Sequence, residues 1–184
     1  MMAFRGVDGA TRTGRREIVL AGSGGQGLVF LGRLVGRVAA ESGLHVVQTQ
    51  SYGVASRGGF SKSEVVVADA SIAYPMVLNP WGILALTDVA RNMYAPEVDS
   101  EGLLVYDSYG ATEGDRSGER GFPFTVEARK ADVAESFNIL ALGTFLALRP
   151  VVDPDRVLAT LKETGGDLGR RNRRAFSLGL ELAR

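Results

Sequence analysis

Residues 17–36 read EIVLAGSGGQGLVFLGRLVG. The β-branched start of this stretch predicts a strand over residues 17–21. Apolar residues three and four positions apart predict an amphipathic helix over residues 25–41. Between the two lies a turn with the spacing G-x-G-x-x-G, formed by Gly22, Gly24 and Gly27. Such a turn brings backbone N–H groups close to the phosphates of a dinucleotide.

The rest of a dinucleotide fingerprint is missing. An NAD site has an acidic residue near the end of the second strand, where it binds the ribose hydroxyls. No Asp or Glu occurs between Ser42 and Ser63, and the predicted second strand ends in Gln48, Gln50 and Ser51. An independent NAD(P)-binding oxidoreductase is therefore only an alternative interpretation. The glycines could also serve close packing of the strand on the helix.

The remaining pattern alternates strands with helices. It predicts further strands over residues 44–50, 61–69, 83–86, 103–107 and 122–128, and further helices over residues 87–94, 131–148, 155–164 and 171–182. This order predicts an α/β fold with a Rossmann-like, mostly parallel sheet, helices on both faces and a helical C-terminal part. We expect a flexible segment over residues 1–16, for which a short Arg-rich import peptide is the alternative, and a single domain over residues 17–184.

Composition excludes several classes of site. The 184 residues include 21 Lys and Arg against 21 Asp and Glu, so the net charge is zero and nothing predicts a nucleic-acid partner. No apolar run approaches the length of a membrane span, and the first residues lack a secretory signal, so we expect a cytoplasmic protein. The chain has no cysteine and one histidine. It thus offers no thiolate for an iron–sulfur cluster and no protein-only zinc site.

A second glycine-bearing loop follows the predicted second strand. Residues 51–59 read SYGVASRGG, with Arg57 immediately before two glycines. In a parallel sheet this loop can lie at the same edge as the first turn. A guanidinium there can make forked hydrogen bonds to phosphate or carboxylate. The alternative is an exposed arginine in an ordinary turn.

Together, the two loops resemble the gamma subunit of the 2-oxoacid:ferredoxin oxidoreductases, which act on pyruvate, 2-oxoglutarate and branched-chain 2-oxoacids. The stretches FNILALGTF at residues 137–145 and NRRAFSLGLELA at residues 172–183 are also similar to this family. The resemblance runs from about residue 17 to the C-terminus. Val54 and Ala55 depart from it, because the family often has Pro and Glu after the Tyr-Gly pair.

The resemblance implies a supporting subunit rather than a catalytic one. The family converts a 2-oxoacid and coenzyme A (CoA) into acyl-CoA and CO₂, using thiamine diphosphate, Mg²⁺ and iron–sulfur clusters to reduce ferredoxin. We expect this chain to bind none of these cofactors alone and to be inactive in isolation. The expected partners are an alpha subunit, a beta subunit that binds thiamine diphosphate, a ferredoxin-like delta subunit in some enzymes, ferredoxin and CoA. The chain has no Gly-Asp-Gly motif of the kind that holds the diphosphate's metal.

The resemblance also implies a set of binding residues, with no catalytic residue and no metal ligand among them. Backbone amides of the first turn and Arg57 are expected to meet phosphates, and Asn138 to fix a neighbouring loop. An indolepyruvate oxidoreductase component is a related alternative, against which the Ser51-Tyr52-Gly53 sequence argues. The full predicted set is Gly22, Gly24, Gly25, Gln26, Gly27, Ser51, Tyr52, Gly53, Arg57, Gly58, Gly59 and Asn138.

Overall fold

In the part of the chain that the structure describes, the fold is a six-stranded sheet with helices on both faces. A computed structural model describes residues 14–52, 59–98, 101–111 and 117–184. Most of the predicted N-terminal segment, residues 1–13, lies outside these ranges. The strands are β1 (Arg16–Ser23), β2 (His45–Tyr52), β3 (Phe60–Ala68), β4 (Gly82–Ala85), β5 (Leu103–Asp107) and β6 (Glu119–Phe122).

The strands lie in the order β2-β3-β1-β4-β5-β6. The pairs β1–β4, β4–β5 and β5–β6 are parallel, whereas β3 is antiparallel to both of its neighbours. Five strands therefore point in one direction and β3 runs against them. This arrangement confirms the predicted mostly parallel sheet. Because β3 runs against both β1 and β2, the end of β2 and the start of β3 lie at the carboxyl end of β1.

The described residues contain six α-helices: α1 (Leu28–Glu41), α2 (Asp88–Tyr94), α3 (Phe124–Lys130), α4 (Phe137–Leu148), α5 (Pro154–Glu163) and α6 (Gly166–Leu182). Ile18 and Leu20 of β1 face the larger core, which α1 and the helices from α3 onward complete. Val19 and Ala21 face the opposite way into a smaller core beneath α2. The alternation of side chains along β1 thus places helices on both faces, as predicted.

The C-terminal helices fit together at glycines. A Cβ added to Gly143 of α4 would lie 3.2 Å from the Cα of Gly179 on α6, so the two backbones are in contact. Thr144 donates a hydrogen bond to the carbonyl of Gly179 at 2.8 Å. Ser136, just before α4, donates to the side chain of Asn172 at 2.7 Å. The two C-terminal stretches that carry the family resemblance therefore form a packing unit.

One predicted strand was wrong. Residues 122–128 were expected to form the sixth strand, but β6 ends at Phe122 and residues 124–130 form α3. The aromatic and β-branched run FPFTV favoured a strand. Burial decides otherwise, because Phe124 and Ala128 point together into the core at the four-residue spacing of a helix. The predicted helix over residues 131–148 also begins later, at Phe137.

Candidate functional site

The two glycine-bearing loops meet at one edge of the sheet. Ser23, the last residue of β1, pairs with Phe60, the first residue of β3. The N–H of Gly24 then donates a hydrogen bond to the carbonyl of Gly59 at 2.9 Å. Residues 24–27 and Gly59 form what we call the rim. The expectation that the two loops share one edge is confirmed for these residues.

The turn of the rim requires glycine at two positions. Gly25 and Gly27 have φ angles of 90° and 74°, in the left-handed region that side chains disfavour. Gly27 is also crowded, since an added Cβ would lie 2.5 Å from Nδ2 of Asn138. At Gly25 an added Cβ would meet no atom within 4 Å. The positive φ therefore explains why both positions are glycine, and the close contact with Asn138 is a second reason at Gly27.

Gln26 fills a crevice in the sheet with its own side chain. The chain leaves β1 for α1 on one face and leaves β4 for α2 on the other, so β1 and β4 flank a topological switch point. Gln26 Oε1 accepts a hydrogen bond from the N–H of Ser23 at 2.7 Å, and Nε2 donates to the carbonyl of Leu86 at 3.3 Å. The crevice in which α/β proteins usually bind ligands is thus bridged by a carboxamide. Gly22 lies directly against this carboxamide.

Asn138 holds the turn from the other side. Its Nδ2 donates to the carbonyl of Gln26 at 3.0 Å, and its Oδ1 accepts from the N–H of Ile139 at 2.9 Å. Asn138 lies in the first turn of α4, so this contact ties the C-terminal helices to the rim. The geometry agrees with the predicted function of Asn138 in fixing a neighbouring loop.

The N-terminus of α1 opens onto the rim without a cap. The N–H groups of Leu28, Val29 and Phe30 have no partner within the helix, and no side chain among the described residues caps the helix start. The first turn of α1 also contains no acidic residue. The positive end of the helix dipole is therefore not compensated by a capping side chain or by an acid in its first turn. This arrangement suits an anionic group such as a phosphate.

A polar cluster that the sequence reasoning missed lies on the α2 face of the sheet. The carboxylate of Glu64, a buried residue, accepts hydrogen bonds from Lys62 Nζ at 2.5 Å and from Thr49 Oγ1 at 3.0 Å. Tyr94 of α2 lies beside the cluster, with its ring centroid 6.4 Å from that of Phe60. The alternation S-K-S-E at residues 61–64 was the available signal, because Lys62 and Glu64 must share a face of β3.

Two pKa values in this cluster are shifted upward. Burial of the Tyr94 hydroxyl raises its pKa above the ordinary 10.0; the negative charges of Glu64 and Glu97 act in the same direction, and Lys62 acts against them. Burial acts to lower the pKa of Lys62, but the hydrogen bond to Glu64 and the neighbouring groups outweigh it. The pKa of Lys62 is therefore raised above 10.5. Lys62 is positively charged and Tyr94 neutral at physiological pH.

The other predicted residues divide into two groups. Ser51 is exposed near the end of β2, and the backbone of Tyr52 pairs with Ser61. Gly53, Arg57 and Gly58 lie outside the described residues, so their predicted function stays a prediction. Within the described ranges no group of three or more His, Asp or Glu side chains could hold a metal ion. No helix there is long and apolar enough to cross a membrane.

Residues 17–182 match the family model described as pyruvate ferredoxin/flavodoxin oxidoreductase. The chain belongs to this family. It is 34% identical to the 2-oxoglutarate synthase subunit KorC of Archaeoglobus fulgidus, over 91% of this chain and 88% of the relative. The gamma subunit of a keto/oxoacid ferredoxin oxidoreductase from Geobacter sulfurreducens has a similar structure. Its TM-score is 0.79 at 35% identity, with 92% of this chain and 97% of the other covered.

A third similarity concerns the fold alone. The 2-oxoglutarate:ferredoxin oxidoreductase of Magnetococcus marinus, solved with 2-oxoglutarate, coenzyme A and succinyl-CoA bound, has a TM-score of 0.80 at 22% identity. The match covers 92% of this chain but 31% of the longer one. The resemblance noted in the sequence is confirmed by these comparisons: the chain is a gamma-type subunit of a 2-oxoacid:ferredoxin oxidoreductase.

Proposed function

We propose that this subunit supports CoA-dependent oxidative decarboxylation of 2-oxoglutarate or a closely related 2-oxoacid. In this reaction the 2-oxoacid loses CO₂, its acyl group forms a thioester with the CoA thiol, and two electrons reduce two ferredoxins with release of one proton. Similarity to the 2-oxoglutarate synthase subunit over most of both chains favours 2-oxoglutarate over pyruvate. Selection of the substrate itself is assigned to the partner chains.

The cofactors are assigned to partner subunits. This chain contains no cysteine, so it offers no thiolate to an iron–sulfur cluster. It also lacks the Gly-Asp-Gly motif expected where thiamine diphosphate and Mg²⁺ are held. Thiamine diphosphate supplies the carbanion chemistry when bound to its own subunit. Ferredoxin and a ferredoxin-like subunit would then carry the electrons away from that centre.

The rim is proposed to face the subunit that binds thiamine diphosphate and to line the path of CoA. The observation that carries this proposal is the uncapped N-terminus of α1, which opens beside two glycines with positive φ. The N–H groups of residues 28–30 would meet the diphosphate of CoA, and Arg57 of the adjoining loop would add a forked pair of donors. Gln26 and Asn138 keep the turn rigid, so little conformational entropy is lost on binding.

The electrostatics of the chain fit a local site. With a net charge of zero, the chain as a whole does not attract a polyanion. Attraction of a diphosphate must therefore come from groups close to it, such as a helix N-terminus and one arginine. This arrangement confines the anion to one place on the surface, which is what a shared path between two subunits requires.

Kinetics of the reconstituted complex test the proposal. Arg57→Ala is expected to raise the KM for CoA about 10- to 100-fold, the value of one or two charge-assisted hydrogen bonds, with a smaller effect on kcat. Arg174→Ala, which removes an exposed arginine from α6, is the matched control and should leave the KM unchanged. An unchanged KM in Arg57→Ala, with the complex intact, would remove Arg57 from the CoA path.

A second measurement tests whether activity requires the other subunits. The purified chain alone should neither reduce a viologen dye with 2-oxoglutarate and CoA nor bind NADH. Activity should appear only when the other subunits are added. An isolated chain that oxidised substrates with NAD would instead support the independent dehydrogenase considered above.

A further inference from the structure

The two edges of the sheet differ in how well they are protected. β6 forms one edge and has only four residues, among them Glu119 and Arg120. β2 forms the other edge and has eight residues, HVVQTQSY, without Pro, Lys, Arg, Asp or Glu. Short length and charge are the usual protection of an edge strand against pairing with other chains. β2 has neither.

Among the residues that the structure describes, β2 also lacks the structural forms of protection. Its register against β3 runs unbroken from His45 to Tyr52, so no bulge twists the edge away. Its other side pairs with no strand in the described part of the chain. Every second residue of β2 therefore directs its N–H and C=O away from β3. His45, Gln50 and Ser51 are exposed along this strand.

Arg33 of α1 places a positive charge beside β2, at the same edge of the sheet. It lies four residues after Val29 and three before Gly36, on one side of the helix. That side faces β2, because the carbonyl of Val29 accepts a hydrogen bond from Gln48 at 3.1 Å and Gly36 lies against Val46. Arg33 is exposed and forms no ion pair with any residue that the structure describes.

We propose that the free edge of β2 pairs with an extended segment of a partner subunit of the oxidoreductase. The segment would add a seventh strand through backbone hydrogen bonds. It would carry uncharged residues opposite β2 and an acidic residue facing Arg33. The backbone of Tyr52, at the end of β2, pairs with Ser61, which lies two residues from Gly59 of the rim, so this contact continues from the surface that is proposed to face the partner.

A second copy of this chain fits the edge less well. Antiparallel pairing of β2 with its own copy keeps α1 of both copies on the same side of the joined sheet. Arg33 of each copy would then lie on the same side of the seam, which brings like charges together. A partner segment that carries an acidic residue removes this repulsion.

The inference rests on the chain being a subunit of the oxidoreductase and does not depend on CoA contact. The first test is hydrogen exchange of the β2 amides, measured on the free chain and on the complex assembled from all subunits. Exchange across residues 45–52 should slow at least about tenfold in the complex, while residues 119–122 of β6 change little. Equal exchange of β2 in both states would overturn the proposal. Protection of β2 in a concentration-dependent dimer of the free chain would also overturn it, in favour of a second copy.

Two pairs of variants test the contact itself. Arg33→Glu should weaken assembly at least about tenfold, whereas Arg174→Glu, the same change on α6, should alter it less than about twofold. Gln50→Pro and Ser51→Pro remove neighbouring N–H groups that point to opposite sides of β2. The variant whose thermal stability is unchanged has lost only the N–H group that points away from β3. That variant should bind the partner subunits poorly. Normal assembly of both the stable proline variant and Arg33→Glu would contradict the proposal.

The KM for CoA separates this inference from the proposed function. If β2 does not pair but Arg57→Ala still raises that KM, the strand contact is wrong and the CoA path stands. If β2 becomes protected but Arg57→Ala has no effect, the strand contact stands and the assignment of Arg57 to the CoA path fails.

Discussion

Glycine serves two different purposes in two regions of this molecule. Between α4 and α6, Gly143 and Gly179 are buried and let two helix backbones touch. At the rim, Gly25 and Gly27 adopt a left-handed backbone in a turn that opens to the surface. Both regions carry motifs of the same family, yet one fixes the core and the other shapes the turn that is proposed to meet a partner. A glycine motif therefore identifies a function only when its backbone angles and neighbours are known.

The largest expected effect concerns the buried pair. In Gly179→Ala the new Cβ would collide with the backbone of α4, including the Thr144 N–H at 2.9 Å, and neither helix can move without disturbing the core. We expect a loss of about 3 kcal/mol in the free energy of unfolding, measured by urea denaturation. Gly36→Ala is the control. Its Cβ would meet only Val46, at 3.6 Å, so this variant should be slightly stabilised.

The next effect separates strain from crowding at the rim. Gly27→Ala combines a positive φ with a contact on Asn138 and should cost about 2 kcal/mol of stability. Gly25→Ala has the positive φ alone and should cost about 1 kcal/mol. In a double-mutant cycle, Gly27→Ala should cost less stability when Asn138→Ala is already present, because the added Cβ then meets no carboxamide. Equal costs for the two glycines would mean that Asn138 does not crowd the turn.

Substitution of Gln26 should lower the free energy of unfolding less than substitution of Gly179 or Gly27, and it should have a clearer effect on CoA binding. Gln26→Ala removes both hydrogen bonds across the switch point and should cost about 1 to 2 kcal/mol, with a higher KM for CoA because the turn loosens. Gln26→Glu keeps the acceptor for the Ser23 N–H but loses the donor to Leu86. The carboxylate also places a negative charge beside the site proposed for the CoA diphosphate, so the KM for CoA should rise at least as far as in Gln26→Ala. A normal KM for Gln26→Ala would show that the rim does not need these two hydrogen bonds to bind CoA.

The smallest expected effect is a dependence of the free energy of unfolding on pH. The apolar contact between α4 and α6 does not contribute to it. Lys62 and Tyr94 both have a pKa in the folded state above their ordinary values of 10.5 and 10.0. Their contribution to stability is complete below about pH 10 and is lost as the pH rises through the folded values. The free energy of unfolding should thus fall more steeply with pH above 10 in the wild type than in Tyr94→Phe. Tyr109→Phe, which alters an exposed tyrosine, should leave that slope unchanged.

The sequence predicted the rim better than its surroundings. The spacing of Gly22, Gly24 and Gly27 between a strand and a helix was sufficient to place the turn, because backbone geometry there is local. The reversal of β3 and the helix at residues 124–130 depend on contacts between distant residues. Phe124 shows the difference, since its neighbours in sequence favour a strand while its burial in the core requires a helix.

Side-chain contacts at the site were harder to predict still. The missing acid near the end of β2 argued against a conventional NAD fingerprint, but nothing in the pattern showed that Gln26 spans the crevice to Leu86. The contact between Asn138 and Gln26 joins residues 112 positions apart. Family resemblance predicted that Asn138 fixes a neighbouring loop, and only the fold shows that it does so through the carbonyl of Gln26.

The central claim is that the rim meets a partner subunit and CoA. A structure of the assembled enzyme with CoA bound tests it most directly. We expect the N–H groups at the start of α1 to lie within hydrogen-bonding distance, about 3 Å, of the CoA diphosphate, with the thiamine-bearing subunit opposite the rim. A diphosphate held entirely by other chains, with the rim open to solvent, would contradict the account.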